Sequence, residues 1–155
     1  MTDEDYMQHA IAQAELAADA GEVPVGAVIV DPQSGDIVAR AANSPIALND
    51  PCAHAEILAL KAAGQVTGNY RLTGLTLYVT LEPCTMCAGA ISHARIGRLV
   101  YGATDPKGGA VDSGVRFYAS PTCHHKPAIT AGVLAGLCAQ KLKAFFKVRR
   151  LRKNT

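Results

Sequence analysis

The segment Glu82-Pro83-Cys84-Thr85-Met86-Cys87-Ala88-Gly89-Ala90 decides the fold and the chemistry of this chain. Pro83 fits the first turn of a helix, where its missing N–H is not needed, and apolar residues at helical spacing follow it. Cys84 and Cys87 are three residues apart and therefore share one helix face, beside the positively polarised N-terminus. That position favours thiolate, the form of cysteine that binds soft divalent metals. The segment therefore predicts a helix whose first turn carries two metal ligands.

A third ligand is predicted in the motif His54-Ala55-Glu56, at the start of another predicted helix. Residues two apart on a helix point in nearly opposite directions, so His54 can bind metal while Glu56 addresses a group beside it. One histidine and two cysteines leave the fourth position of a tetrahedral ion open, which is typical of catalytic zinc. We expect one zinc per chain, water in the open position, and Glu56 as the group that takes and returns its proton.

The cysteines and acids near this motif leave other interpretations open. Cys-x-x-Cys also occurs in redox pairs and in structural zinc half-sites. Cys52 could close the site as a fourth ligand, although we expect it to be a buried free thiol. The Cys-His-His run at 123–125 could form a second metal site, although a surface loop with neutral histidines is expected. Glu82 fits either a second catalytic acid or a structural carboxylate beside the sheet, and we expect the latter.

Hydrophobic periodicity and turn residues divide the rest of the chain into alternating strands and helices. Strands are predicted at 25–30, 37–40, 75–80, 99–102 and 128–130, and helices at 2–20, 53–63, 83–95 and 133–153. The first two strands form a hairpin, whereas the third and fourth enclose a helix, a crossover that implies parallel pairing. We therefore predict a three-layer α/β/α fold with a central mixed five-stranded sheet, in one domain over residues 1–155.

Composition places the chain among globular proteins. It has 155 residues, of which 49% are hydrophobic and 18% charged, enough to bury a core and too apolar for a disordered protein. The acidic start at 1–5 differs from the basic start of a signal peptide, and no apolar run approaches the ~20 residues of a membrane span. Five cysteines, an odd number, fit free or metal-bound thiols better than disulfides. We expect a cytoplasmic protein without a membrane segment.

The charged residues are unevenly distributed along the chain. All 13 acids lie within residues 1–112, whereas residues 113–155 carry nine basic residues and no acid. Seven of the nine lie in the last predicted helix: Lys141, Lys143, Lys147, Arg149, Arg150, Arg152 and Lys153. Such an asymmetry indicates an anionic partner, nucleic acid before membrane. The alternative is a solvated, frayed helix end.

The combination of His-Ala-Glu with Pro-Cys-x-x-Cys is the established signature of zinc-dependent cytidine and adenosine deaminases. Further segments resemble the bacterial tRNA adenosine deaminases: Gly-Glu-Val-Pro-Val-Gly-Ala-Val at 21–28, Asn-Tyr-Arg-Leu at 69–72, Leu-Glu-Pro-Cys at 81–84, Cys-Ala-Gly-Ala at 87–90 and Arg-Ile at 95–96. Phe145-Phe146, followed by basic residues, is similar as well. The resemblance covers nearly the whole chain.

This resemblance implies a cytidine-deaminase-like fold and hydrolytic deamination of the wobble adenosine of tRNA anticodons to inosine. It also implies a homodimer whose two subunits both contact RNA. Asn43 matches the family asparagine that contacts the target nucleoside, and Ala55 is expected beside it as a substrate contact. The expected RNA contacts are Lys107, Phe146, Arg149, Arg150 and Arg152. The target base must leave its stack to reach zinc, which is easier in an anticodon loop because its bases are unpaired.

Two other functions compete with this one. A deaminase of a free base or nucleoside, such as guanine or cytosine, would use the same fold but does not need a basic C-terminal half. A non-catalytic, zinc-stabilised RNA-binding module would need neither Glu56 nor an open metal position, because structural zinc sites are closed.

Overall fold

A computed structural model describes residues 1–153, in which five strands form one mixed sheet. The strands are β1 (Gly26–Val30), β2 (Ile37–Ala42), β3 (Thr76–Leu81), β4 (Arg98–Ala103) and β5 (Ala128–Ala131). Their order across the sheet is β2-β1-β3-β4-β5. Strand β1 is antiparallel to both of its neighbours, whereas β3, β4 and β5 are parallel to one another. The predicted mixed five-stranded sheet is confirmed.

Helices cover both faces of this sheet. They are α1 (Asp3–Asp19), α2 (Pro45–Leu48), α3 (Ala55–Thr67), α4 (Thr85–His93) and α5 (Ala135–Lys153), with a 3-10 turn at Phe117–Ala119. Helices α3 and α4 pack on one face and α1 and α5 on the other, which gives the three predicted layers. Within the described part of the chain, no helix is long and apolar enough to cross a membrane.

The central strand β1 shows how the sequence fills both layers. Ala27 and Ile29 pack toward α3 and α4, whereas Val28 and Val30 pack toward α1. All five residues of β1 are buried, because helices cover both faces, and the strand therefore reads as a continuous apolar run. A Cβ atom at Gly26 would collide with the backbone of α1, so glycine lets that helix lie close to the sheet.

The N-terminus of α1 is capped and tied to the sheet. The Thr2 hydroxyl accepts a hydrogen bond from Asp5 N at 3.2 Å, and the Asp5 carboxylate accepts one from Thr2 N at 2.9 Å. Asp3 forms an ion pair with Arg98 of β4 at 2.6 Å and accepts a hydrogen bond from the Tyr78 hydroxyl at 2.8 Å. Hydrogen bonding from Arg98 holds the pKa of Asp3 below its ordinary value. This cluster lies away from the metal motif and anchors α1 to β3 and β4.

Some predictions around the metal motif were wrong. The helix predicted at 83–95 begins at Thr85, so Pro83 precedes it and Cys84 is its N-cap residue. The helix expected to end at Gly64 continues to Thr67 and ends at Gly68, whose φ of +67° is the left-handed conformation that glycine tolerates. The region expected to be a loop after Asn43 contains α2. Pro45 at the first position of that helix was the available signal, since proline is favoured there.

Candidate active site

The three predicted metal ligands meet where two helices begin. His54 is the N-cap residue of α3 and Cys84 is the N-cap residue of α4, while Cys87 lies in the first turn of α4. The His54 Nδ1 atom lies 3.6 Å from the Cys84 sulfur and 3.5 Å from the Cys87 sulfur. A tetrahedral ion with Zn–S of about 2.3 Å and Zn–N of about 2.05 Å separates such ligand atoms by roughly 3.5 Å. These distances match the spacing of three ligands around one zinc ion.

Electrostatics at this point favour a bound cation. Hydrogen bonding from Cys87 and from His54 lowers the pKa of Cys84 to about 4, so that this side chain is a thiolate at neutral pH. Its hydrogen bond to Cys84, together with burial, raises the pKa of Cys87. A divalent cation would bind the Cys84 thiolate and displace the proton of Cys87, because a metal binds the deprotonated sulfur. This donor set of one nitrogen and two sulfurs suits zinc.

The other candidate ligands lie outside this cluster. Cys52 is exposed, so its expected burial was wrong, and it does not join the ligand group. Over residues 1–153, His54, Cys84 and Cys87 form the only cluster of metal-ligating side chains. The run at 123–125 lies in a loop, as expected, with His124 exposed. Cys123 is buried, however, and its thiol donates to the His125 carbonyl oxygen at 3.2 Å.

A cavity of about 310 Å³ opens beside the three ligands. It is lined by Val23, Val25, Asn43, Pro45, His54, Glu56, Leu81, Glu82, Cys84, Asp105 and Gly108. Glu56 is only 4% exposed, and burial raises its pKa to about 7. Ala55 is fully buried and does not belong to the lining. The cavity therefore presents one protonatable carboxyl group next to the ligand cluster.

Asn43 is held in the cavity wall by the chain segment that precedes β1. Its backbone N–H donates to the Val25 carbonyl oxygen at 3.0 Å, and its Nδ2 atom donates to the Val23 carbonyl oxygen at 3.1 Å. These bonds fix the orientation of the carboxamide and leave its oxygen for a donor on a bound molecule.

Glu82 is a structural carboxylate in this arrangement. It is 2% exposed and accepts hydrogen bonds from four backbone N–H groups and one hydroxyl. The donors are Asp105 N, Val111 N, Asp112 N, Ser113 N and Ser113 Oγ, at 2.9 to 3.0 Å. Burial pushes the pKa of Glu82 up, but these bonds outweigh it and leave the pKa below its ordinary value. Each bond to a charged acceptor contributes about 1.5–3 kcal/mol, so Glu82 fixes the loop that carries Asp105 and Gly108.

Close packing against Glu82 also explains a glycine in that loop. A Cβ atom at Gly109 would lie 2.5 Å from the carboxyl carbon of Glu82 and 2.6 Å from the Asp105 carbonyl oxygen. Only glycine lets the backbone of residues 105–113 wrap this closely around the carboxylate.

All five predicted RNA contacts lie outside the cavity lining: Lys107, Phe146, Arg149, Arg150 and Arg152. Phe146 is 41% exposed on α5, and the Arg149 guanidinium lies 5.3 Å from the centre of the Phe145 ring. A groove of about 400 Å³ between α1 and α5 includes Arg149 and Arg152 together with Glu15 and Asp19. The structure thus places part of the basic helix beside acids of α1.

Sequence reasoning missed one buried acid near the cavity, Glu22. Its carboxylate accepts hydrogen bonds from the backbone of α2, which follows Asn43. The only signal in the sequence was an acid directly before the apolar residues that lead into β1. Its partners are backbone groups, and no side-chain pattern identifies those.

Comparisons with known proteins agree with this site. Residues 1–103 match the family model described as the cytidine and deoxycytidylate deaminase zinc-binding region. The chain is 52% identical to a tRNA-specific adenosine deaminase of Agrobacterium fabrum, over 94% of this chain and 95% of that protein. It is 44% identical to the tRNA-specific adenosine deaminase of Bacillus subtilis, over 98% of this chain and 93% of that protein.

Solved structures share the fold of this chain. One from a study of A-to-I editing by tRNA:A34 deaminases at the wobble position of transfer RNA superposes with a TM-score of 0.86 and 52% identity, covering 89% of this chain and 99% of that one. A guanine deaminase from Nitrosomonas europaea superposes with a TM-score of 0.76 at 22% identity, covering 92% and 83%. At that identity the second likeness shows the shared fold alone.

Proposed function

The chain belongs to the tRNA-specific adenosine deaminases of the cytidine and deoxycytidylate deaminase zinc-binding family, and we propose that it converts the wobble adenosine of tRNA anticodons to inosine. The observation that carries this function is the placement of Glu56 in the same cavity as two of the three zinc ligands. Hydrolytic deamination needs an activated water and a group that moves its proton, and both belong to this cavity.

The roles of the side chains follow from their positions. His54, Cys84 and Cys87 would hold a zinc ion, which would supply Lewis-acid activation of water. Glu56 accepts a proton, passes it to the ring nitrogen of the target base and then assists the departure of ammonia. Asn43 offers its carboxamide oxygen to the target nucleoside. Glu82 has all of its strong acceptor positions used by the loop at 105–113, which leaves Glu56 as the proton carrier.

The cavity suits one unstacked base. The cavity has a volume of about 310 Å³. It is bounded by the segment that precedes β1, by zinc ligands and by the loop held by Glu82. A base within a duplex cannot enter, so the substrate must present its target outside a stack. The bases of an anticodon loop are unpaired, which lowers the free energy needed to extrude one of them.

An assay with three substrates tests this function. The zinc-loaded protein is offered an anticodon stem-loop with adenosine at the wobble position, free guanine and free cytidine, and ammonia release is measured. We expect release from the stem-loop alone. Release from guanine or cytidine, with none from the stem-loop, would favour the free-base deaminase; the shared fold with a guanine deaminase makes this the relevant alternative.

The basic end of α5 gives a second, independent prediction. We expect a variant in which Arg149, Arg150, Arg152 and Lys153 are all replaced by glutamine to bind the stem-loop more weakly and with a flatter salt dependence. Each phosphate contact contributes about 0.9 to the slope of log affinity against log salt on duplex and about 0.7 on single strand. Filter binding of the stem-loop at several salt concentrations measures that slope.

Turnover of bound substrate should change little in this variant, because these residues lie outside the cavity. Phe145 and Phe146 are kept, and thermal melting checks that α5 still packs. Arg40→Gln, which removes a cation from β2, is the control and should keep the parental slope. A parental slope in the quadruple variant would show that the basic residues form only a solvated helix end.

We also propose that the enzyme is a homodimer and that its partner covers the groove between α3 and α4. This groove has a volume of about 830 Å³. Its lining includes Ile57, Leu60, Tyr70, Ala90, His93 and Ala94. Tyr70, which follows α3, is 73% exposed, and Val66 on α3 is 68% exposed, so apolar surface surrounds the groove. Sedimentation should give the mass of two chains, and Ala90→Arg should give the mass of one.

Two further aspects belong to the same proposal. The single sheet, covered on both faces by helices from the whole chain, supports one deaminase domain over residues 1–155, with its basic helix at the C-terminal end.

A tRNA substrate and unpaired cysteines support a cytoplasmic location.

A further inference from the structure

The basic residues of α5 lie on two different sides of the helix. The α5 residues that line the groove between α1 and α5 have the spacing of one helix face: Lys141, Ala144, Phe145, Val148, Arg149 and Arg152. A second set has the same three- and four-residue spacing but falls about half a turn away around the helix, and all of its members are exposed: Lys143, Lys147 and Arg150. We call this second set the outer row. The groove row consists of the three basic residues in the groove lining, Lys141, Arg149 and Arg152.

Two acids of α1 lie in the same groove as the groove row. Glu15 and Asp19 both line it, and the Lys141 Nζ atom lies 3.0 Å from the Oε1 atom of Glu15. The Arg149 guanidinium lies 5.3 Å from the centre of the Phe145 ring, which lines the groove as well. Because α5 contains no acid, none of its cations can pair with a carboxylate on its own helix. The groove row therefore obtains its counter-charge from α1, whereas the outer row is exposed.

The groove between α1 and α5 adjoins the substrate cavity. Gly21 and Pro24 line the groove, whereas Val23 and Val25 line the cavity, so one short segment separates the two. An RNA with one base in the cavity therefore passes close to α5. Its phosphates are the anions that a row of lysine and arginine side chains is suited to bind.

We propose that Glu15 and Asp19 occupy the groove row and thereby restrict phosphate binding on α5 to the outer row. An exposed ion pair contributes little to the stability of a fold, but it changes what its cation can offer to a ligand. A phosphate that approaches Lys141 must break the pair with Glu15, and both carboxylates repel it. A phosphate at the outer row is subject to neither effect.

This inference rests on the proposed function and assigns the side of α5 that meets the RNA. Of the predicted RNA contacts, Arg150 belongs to the outer row and is a phosphate contact. Arg149 and Arg152 belong to the groove row and are held by α1 instead.

A double-mutant cycle on the ion pair tests this assignment. Filter binding of the anticodon stem-loop at several salt concentrations is measured for the zinc-loaded parent, Lys141→Gln, Glu15→Gln and the double variant. Lys141→Gln alone should keep the parental slope of log affinity against log salt, because Lys141 contacts no phosphate while Glu15 is present. Glu15→Gln should raise the affinity and steepen the slope by about 0.7–0.9, the contribution of one further contact. The double variant should return to the parental slope, since the released cation is then absent.

Variants of the outer row and of a distant acid complete the experiment. Lys147→Gln and Arg150→Gln should each flatten the slope by about 0.7–0.9, because each removes one phosphate contact. Glu4→Gln is the matched control, because it removes one acid from the first turn of α1, outside the groove. It should keep the parental slope. Thermal melting checks that each variant keeps the fold.

Four results would overturn the inference. Equal flattening by Lys141→Gln with and without Glu15 would mean that Lys141 reaches phosphate in spite of the carboxylate. A parental slope in Glu15→Gln would mean that this acid withholds no cation. A parental slope in both Lys147→Gln and Arg150→Gln would place the phosphates away from the outer row. Equal steepening in Glu4→Gln and Glu15→Gln would indicate a general effect of net charge.

Failure of the proposed function has a different signature in the same experiment. A parent that does not bind the stem-loop, or binds it with an affinity independent of salt, would contradict the RNA substrate itself. The two failures are therefore distinguishable.

Discussion

Replacing Glu56 by alanine should abolish deamination while zinc and stem-loop binding persist. Glu56 is 4% exposed and lines the cavity beside the ligand cluster, but it is not a member of that cluster. Its loss therefore removes the proton carrier and leaves the metal site intact. General acid–base groups contribute about 10²–10⁴-fold, and a group that acts in more than one step contributes more. Single-turnover rates on the adenosine stem-loop measure the effect.

Glu56→Gln separates proton transfer from packing. The amide has the shape of the carboxyl group, so the first turn of α3 and the cavity volume are preserved, but it cannot accept and return a proton. We expect the same loss of rate as in Glu56→Ala, with parental zinc content by metal analysis and a parental stem-loop Kd. A rate close to that of the parent in either variant would place the proton carrier elsewhere.

Replacing Cys87 by serine should cost the enzyme its zinc and part of its stability. Cys87 is fully buried and lies 3.5 Å from the His54 Nδ1 atom, so no other side chain replaces its sulfur without moving α4. A ligand present at a thousand times its Kd stabilises the folded state by about 4 kcal/mol. For a domain of this size that corresponds to a fall in Tm on the order of 10 °C. Metal analysis and thermal melting measure the two effects.

Two controls define this result. The parent treated with a chelator should melt close to Cys87→Ser, because both then lack the same ion. Cys52→Ser should keep parental zinc and Tm, because Cys52 is exposed and outside the ligand cluster. Loss of zinc from Cys52→Ser would mean that the site is closed by a fourth protein ligand, and the proposed open position for water would be wrong.

Two buried glutamates, Glu56 and Glu82, line this cavity, and a third, Glu22, lies outside its lining. Their hydrogen-bond partners give them different roles. Glu22 and Glu82 have their carboxylate oxygens occupied by backbone N–H groups of two separate segments. Both carboxylates hold the backbone segments that donate to them. Glu56 has no comparable set of backbone donors from another segment, and burial raises its pKa to about 7. Burial outweighs hydrogen bonding at Glu56 and raises its pKa, whereas hydrogen bonds outweigh burial at Glu82 and lower its pKa.

The sequence by itself determined the fold class and the group of zinc ligands, and it predicts Glu56 as the proton carrier. These depend on local geometry: a three-residue spacing places Cys84 and Cys87 on one helix face, a two-residue spacing separates His54 from Glu56, and the alternation of strands and helices implies the crossover. The basic C-terminal helix was also predicted from the sequence, because the residue types alone determine its charge. The resemblance to the tRNA adenosine deaminases added the substrate to this chemistry.

Only the tertiary structure decided the roles of Glu22 and Glu82, the short helix after Asn43 and the exposure of Cys52. Glu22 and Glu82 bind backbone N–H groups 23 to 31 residues away. Every residue except proline carries such a group, so the sequence does not indicate which of these groups donate to a buried carboxylate. The end of α3 at Gly68 instead of Gly64 has the same origin, because both are glycines and only packing decides which adopts the left-handed conformation. Side-chain identity was therefore enough to predict the reacting groups. The cavity walls depend on backbone hydrogen bonds, which side-chain identity does not encode.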